Sequence, residues 1–251
     1  MKILKAEEQG SGAFDGGKIT EIKPVPFPHE VGGLDAMGPL FYWAWASAKG
    51  DGVIGMHPHK GFEIVSYALE GEIGHSDTLG TKSRVGKGGA QVMQTGSGVS
   101  HEEEMYGERT EFFQIWFEPD LKEAMRRAPT YAEFKDEDFP REERGDGVVV
   151  KRILGEGSPM TLVAAVAMVD VSVPAGARYD FDLEEGRFLA GMTVEGGGVV
   201  AQSEDARTVS KTDFVLTGEG GRVSLSAGDE GVRLVAIDAP QEVGHPLYSR
   251  R

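Results

Sequence analysis

HPHKGFE, residues 57 to 63, is the stretch on which the reading of this chain turns. Two histidines flank a proline, and a glutamate follows four positions after the second. On an extended chain, positions i and i+2 project to the same side, so His57 and His59 face one way together. HEEE, residues 101 to 104, repeats the device. His101 and Glu103 share a side, and Glu102 and Glu104 take the other. Placed on adjacent strands of a barrel, His57, His59, His101 and Glu103 converge inside it. Imidazole nitrogen and carboxylate oxygen without thiolate suit Fe(II), Mn, Ni, Cu or Zn. Four protein ligands in an octahedral shell leave two positions open, as chemistry on a substrate oxygen and dioxygen requires.

Glu63 competes with Glu103 for the fourth place, because it has the parity of His57 and His59. Gly61 lies between them, and a bend there breaks the parity. Two inward glutamates can also divide the work, one ligating and the other hydrogen-bonding a ligand histidine. The spacing leaves these alternatives open. Of the remaining histidines, His75 in GHSDTLG is expected to hydrogen-bond at a strand end, and His29 and His245, beside prolines, are read as structural or solvated.

The rest of the sequence bounds what such a site can belong to. The chain has 251 residues and a formal net charge of −15. A surface this acidic repels phosphate backbones and anionic lipid, and no basic run offsets it, so direct nucleic-acid binding is not expected. There is no cysteine, which excludes disulfides, iron–sulfur clusters, thiolate zinc sites and cysteine nucleophiles. The start, MKILKAEEQG, carries no apolar core of a secretory signal. No apolar run approaches the ~18 to 20 residues of a membrane span. The expected location is the cytoplasm.

Thirty-six glycines between short apolar runs predict many tight turns and short strands. FEIVSYALEGEIGH (62 to 75) reads as an alternating strand ending at Glu70-Gly71. AQVMQTG, FFQIWFEP, GVVVKRILG and RYDFDL also suit strands, as does the valine-rich TLVAAVAMVDVSVP. One helix is expected over DLKEAMRRA, with Asp120 as cap, Glu123 as its capping-box partner and Pro129 as its stop. The charged segment 132 to 147 reads as a linker between halves. YALEGEIGH (67 to 75) is weakly echoed by AGMTVEGGG (190 to 198), and KGGAQVMQTG by KTDFVLTGEG, which fits two β units in tandem.

Taken together, HPHKGFE, GHSDTLG and QVMQTGSGVSHEEEM resemble the pirin family of the cupin superfamily. The family pattern is matched at Gly61, Phe62, Glu63, His75, Asp77, Gly80, Gln91, Met93, Gly96, Gly98, His101 and Glu103. QIWFEPDLK (114 to 122), PTY (129 to 131) and EGSPM (156 to 160) extend the resemblance. Thr78 stands where the family often has serine and Thr95 where it has alanine, and the family's closing Gly-Pro-Phe-Val segment is missing.

The resemblance implies an all-β bicupin of two tandem β-sandwich barrels with a few short helices. Residues 1–135 are then an N-terminal metal-binding cupin and residues 136–251 a C-terminal cupin without metal ligands. The second half holds one histidine, His245, and no His-x-His. The resemblance also favours Glu103 over Glu63, giving a metal set of His57, His59, His101 and Glu103, with iron as the usual metal.

Two functions are attached to pirins. One is quercetin 2,3-dioxygenase chemistry, in which a flavonol-like enol loses its hydroxyl proton to Glu103 and the activated ring is cleaved with dioxygen, releasing carbon monoxide. Phe62, Met93 and Trp116 are then candidates to hold the aromatic substrate, with Glu63 and His75 supporting the site. The alternative is a redox-sensitive regulatory protein that binds a protein partner through its acidic surface. A cupin sugar isomerase is a third reading, resting on the fold alone. Two barrels in one chain mimic a cupin dimer, so a monomer is expected.

Overall fold

The computed structural model describes residues 1–218 and 220–248. In chain order the strands are β1 Lys2–Leu4, β2 Gly10–Phe14, β3 Ile19–Val25, β4 Leu40–Lys49, β5 Gly52–His59, β6 Glu63–Asp77, β7 Lys82–Gly86, β8 Ala90–Gln94, β9 Val99–Phe117, β10 Thr130–Phe134, β11 Arg141–Glu143, β12 Val149–Leu154, β13 Ala167–Val173, β14 Arg178–Leu183, β15 Arg187–Gln202, β16 Asp205–Ser210, β17 Phe214–Leu216 and β18 Gly221–Pro240, with one α-helix among the described residues, α1 Leu121–Ala124. The strands form two nine-stranded antiparallel sheets, the architecture expected of a bicupin.

The chain divides into two compact units. One takes Gln9–Asp138, Leu162–Ala164 and Gly244–Arg251, and the other Met1–Glu8, Phe139–Thr161 and Ala165–Val243. The chain passes from one to the other at Asp138, inside the charged segment read as a linker. That segment is not bare coil, since it carries the end of β10 and all of β11.

In the unit built on Gln9–Asp138 the sheet order is β10-β8-β6-β9-β4-β3-β2, with β5 on β9 and β7 on β6. Strand β9 pairs along its first part with β5 and along its second with β4, while β6 follows its other edge. A strand that passes from one layer to the other must bend, and bulges supply the bend. The register of β6 on β9 shifts on both sides of Glu70. Gly71 sits at that bend with φ +73, where a Cβ would come within 2.5 Å of the Arg109 carbonyl oxygen. Glu70-Gly71 is therefore a bulge inside one long strand and not the strand end expected from the sequence.

Among the apolar groups of this unit, one gathers Phe41, Tyr42, Ile64, Met93 and Trp116, and another Ile19, Ala68, Ile73, Met105 and Phe112. The second unit has its own core, including Val150, Val171, Phe181, Leu225 and Leu234. The helix is shorter than expected. Asp120 does cap it, accepting from the Lys122 and Glu123 amides, but Glu123 turns to Arg126 at 2.9 Å and makes no reciprocal capping-box bond. Val173 ends β13 just before Pro174, and the residues ahead of Ala167 are irregular, so the strand is shorter than the valine-rich run that announced it. No helix of the described residues is long and apolar enough to cross a membrane.

Candidate metal centre

Strand β9 is the middle of the site. His101 lies across from His57 of β5 on one edge and from Asp77 of β6 on the other. Two residues on, Glu103 lies across from Ile54 and His75. The sheet therefore aligns two rows of chemistry-bearing side chains, although a register shift between Ile54 and His57 disturbs strict alternation on β5.

The ligand atoms of His57, His59 and His101 all lie within 4.8 Å of one another. His101 Nε2 is 3.0 Å from His57 Nε2. His57 Nδ1 is 2.8 Å from the Gly55 carbonyl oxygen, so the ring donates there and keeps its Nε2 lone pair for the centre. Burial, reinforced by the neighbouring imidazoles, pushes His59 and His101 down to about 3. Both are thus neutral at physiological pH, the form that ligates metals.

Behind the imidazoles stands a second layer. His101 Nδ1 faces His75 Nδ1 at 3.4 Å, and His75 Nε2 is 2.9 Å from Asp77 Oδ2. Asp77 Oδ1 accepts from the Leu79 and Thr81 amides. Burial works to raise the Asp77 carboxyl, but the bonds from His75, Thr81 and Leu79 outweigh it and hold it below its ordinary value. His75 also stacks on Tyr131 at 4.1 Å. It is more than a strand-end hydrogen bonder, because it links a buried carboxylate to His101.

Glu103 is buried, and its Oε1 accepts from Gln114 Nε2, whose Oε1 in turn accepts from Trp116 Nε1 at 3.2 Å. Burial raises the Glu103 carboxyl despite the Gln114 bond and the pull of His57 and His75. Among the described residues, the mutually close ligand group consists of the three histidines and does not include Glu103, which lies two positions along β9 from His101. Glu63 is committed elsewhere: it accepts from Gln94 Nε2 at 2.6 Å and from the Val163 and Ala164 amides at 2.7 and 2.9 Å. Gly61, at φ +86, turns the chain between His59 and Glu63.

The wall on the other side is aromatic. Trp116 packs edge-on against His59 at 4.6 Å between ring centroids, Phe27 against Trp116 at 5.3 Å, and Phe41 against Phe62 at 4.5 Å. Met93 is buried in the same apolar group. Phe27, Phe41, Tyr42 and Gln114 escaped the sequence reading. For Gln114 the spacing to Trp116 was available, but the bulges on β6 and β9 hide which parity faces inward.

The residues fit a metal ion by their own geometry. Among the described residues His59 Nε2 is buried with no hydrogen-bond partner, a costly state for a polar atom unless something binds it. Two nitrogens each about 2.1 Å from one ion and at right angles lie about 3 Å apart, the spacing of His57 and His101. The donor set of neutral imidazoles with a carboxylate at hand suits a first-row divalent ion.

An antiparallel double-layer barrel that gathers imidazoles from β5 and β9 in this way has the form of a cupin. The pirin family model matches residues 35–117. The chain is 34% identical over 200 residues to a pirin-like protein of Caulobacter vibrioides, across 76% of this chain and 70% of that one. It is 35% identical over 161 residues to a Pseudomonas aeruginosa protein provisionally named a quercetin 2,3-dioxygenase, across 61% of this chain and 66% of the other. Among solved structures, the Escherichia coli pirin YhhW in complex with nickel(II) superposes with a TM-score of 0.80 at 21% identity, over 96% of this chain and 99% of that one. A quercetin 2,3-dioxygenase from Acinetobacter baumannii superposes with a TM-score of 0.75 at 21% identity, over 96% and 86%. The chain belongs to the pirin family.

Proposed function

We propose that this chain is a metal-dependent dioxygenase that cleaves a flavonol-like enol with O2. The observation that carries the proposal is the convergence of three imidazoles, with one buried nitrogen otherwise unpartnered, beside a buried carboxylate and an aromatic wall. The provisional name of the Pseudomonas aeruginosa relative supports the same reading.

His57, His59 and His101 would hold the ion, with Glu103 as the fourth ligand. When bound there, a divalent ion such as Fe(II) supplies Lewis acidity and a redox-active centre next to the substrate. Glu103 accepts the enol hydroxyl proton, and the Gln114 amide keeps its carboxylate in place. The Asp77–His75 pair fixes the His101 ring so that Nε2 faces the centre. Phe62 and Trp116 hold the substrate's rings, and with Phe27 and Phe41 they keep water from the reacting face.

The test is quercetin consumption under air by apo-protein reloaded separately with Fe(II), Mn, Ni, Cu and Zn, with headspace carbon monoxide recorded. Metal-dependent turnover with one carbon monoxide per flavonol is the expected result. Absence of turnover with every metal, from protein shown to be loaded, overturns the enzymatic reading and turns attention to protein partners.

A further inference from the structure

The unit built on Phe139–Val243 also has a pocket, of about 260 Å³. Its lining holds no histidine. Strands β14, β18 and β15, arranged like β5, β9 and β6 in the other unit, send Phe181, Leu183, Val223, Leu225 and Val200 into an apolar core. The pocket opens at one end of that inner face. Arg152 has the parity of the core residue Val150 on β12, and its cross-strand row continues through Val169, Ala236 and Gly191. Leu234 packs over Gly191, whereas Ala236 brings little side chain to that row, and the pocket lies between it, Val169 and Arg152.

The charges that line the pocket are nearly all matched. Asp180 pairs with Arg178 at 2.7 Å, Asp182 with Arg222 at 3.0 Å, Asp238 with Arg187 at 2.6 Å, and Arg144 with Glu142 at 2.7 Å. Two polar groups are left over. Arg152 makes no ion pair among the described residues, and the Tyr179 hydroxyl has no hydrogen bond among them. Burial of the ring pushes that hydroxyl above its ordinary value; Arg144 and Arg152 pull it down, and Glu142 and Asp182 push it up. The remaining surface is apolar, from Phe181, Leu183 and Leu189. A cation entering here finds every carboxylate already engaged. An anion finds a free planar fork of N–H donors, whose geometry matches a carboxylate.

We propose that this pocket binds a small aromatic monocarboxylate, with its carboxylate on Arg152 and the Tyr179 hydroxyl and its ring against Phe181, Leu183 and Leu189. The volume is below the roughly 300–1,000 Å³ of pockets for drug-sized ligands, which limits the occupant to about one ring. The site is independent of the metal chemistry and stands whether or not the chain cleaves flavonols.

The test is calorimetric titration of the full chain with benzoate, benzamide and inorganic phosphate, with and without prior metal removal by chelation. Benzoate is expected to bind one per chain, with benzamide and phosphate each about tenfold or more weaker, and to bind equally well after chelation. Arg152→Gln should cost about tenfold or more in benzoate affinity while leaving metal content unchanged, and Tyr179→Phe should weaken it severalfold. Equal binding of benzoate and benzamide overturns the role of charge. Phosphate as tight as benzoate overturns the role of the apolar floor. Loss of binding on chelation assigns benzoate to the metal centre, and an Arg152→Gln chain that binds as before removes the site. The comparison of ligands on the unaltered chain stands even if a variant folds poorly.

Discussion

His101 Nε2 lies 3.0 Å from His57 Nε2, and its Nδ1 faces His75 Nδ1 at 3.4 Å. A ring anchored at Nδ1 with Nε2 left toward the centre needs little reorganisation to ligate. His101→Ala removes a donor that His57 and His59 cannot replace, since two imidazoles alone bind a divalent ion far less tightly. The expected outcome is a folded protein with less than about a tenth of the metal per chain after dialysis, and with flavonol turnover lost in parallel. Retention of one ion per chain would show that His101 is not a ligand.

Asp77 meets the ligand His101 through His75 and by its charge, without a ligating contact of its own among the described residues, which makes it a positioning residue. Asp77→Asn keeps the volume and the bonds from the Leu79 and Thr81 amides but weakens the partner of His75 Nε2. Changes behind a ligating histidine lower metal affinity by about 10–100-fold. Competition with a chelator of known affinity reads the effect directly. Asp77→Asn with unchanged affinity would confine the pair to packing.

Glu103→Gln separates ligation from proton transfer. The amide keeps the shape and can still meet Gln114, but it cannot accept the enol proton. Some metal should remain while turnover falls by about 10²–10⁴-fold, the usual contribution of a positioned base. Normal turnover by this variant excludes Glu103 as the base.

These residues were not equally legible in the sequence. The histidines were, because within one straight stretch of strand the period of two holds: HPH and H-x-E declare their shared faces without help from the rest of the fold. Gln114 and the inward pairing of β6 with the end of β9 were not. Along β6 the inward set passes from Ile64 and Ala68 to Ile73 and His75, and along β9 from His101, Glu103 and Met105 to Phe112 and Trp116. Both change parity at the bulges around Glu70 and Gly71. A bulge is set by how two strands bend together across layers, and a glutamate followed by glycine reads equally well as a turn. Glu63 illustrates the same limit on a smaller scale. Its parity with the histidines ends at Gly61, whose positive φ only the folded chain reveals. Phe27 lies outside any strand, so no periodicity marks it as part of the aromatic wall.

A buried acid at the edge of that wall makes a pH-dependent prediction. Burial drives the Glu21 carboxyl up to about 7 against the pull of Lys23, with the charges of Glu103 and Glu30 adding to the rise. Its unfolded value is about 4.5. Between these values the folded state holds the proton more firmly than the unfolded chain, so stability falls as pH rises through the window. The contribution is fully present below about pH 4.5 and lost above about pH 7, and a shift of this size corresponds to roughly 3 kcal/mol. Glu21→Gln mimics the protonated form at every pH. Lys23 is not orphaned by the change, because it also pairs with Glu30. In urea unfolding of metal-free protein, Glu21→Gln should therefore match the unaltered chain near pH 4.5 and become progressively more stable than it by pH 8. The difference between the two chains cancels the titration of all other groups. A difference that stays flat across pH 5 to 8 would mean that Glu21 is ionised throughout and is held by Lys23 instead.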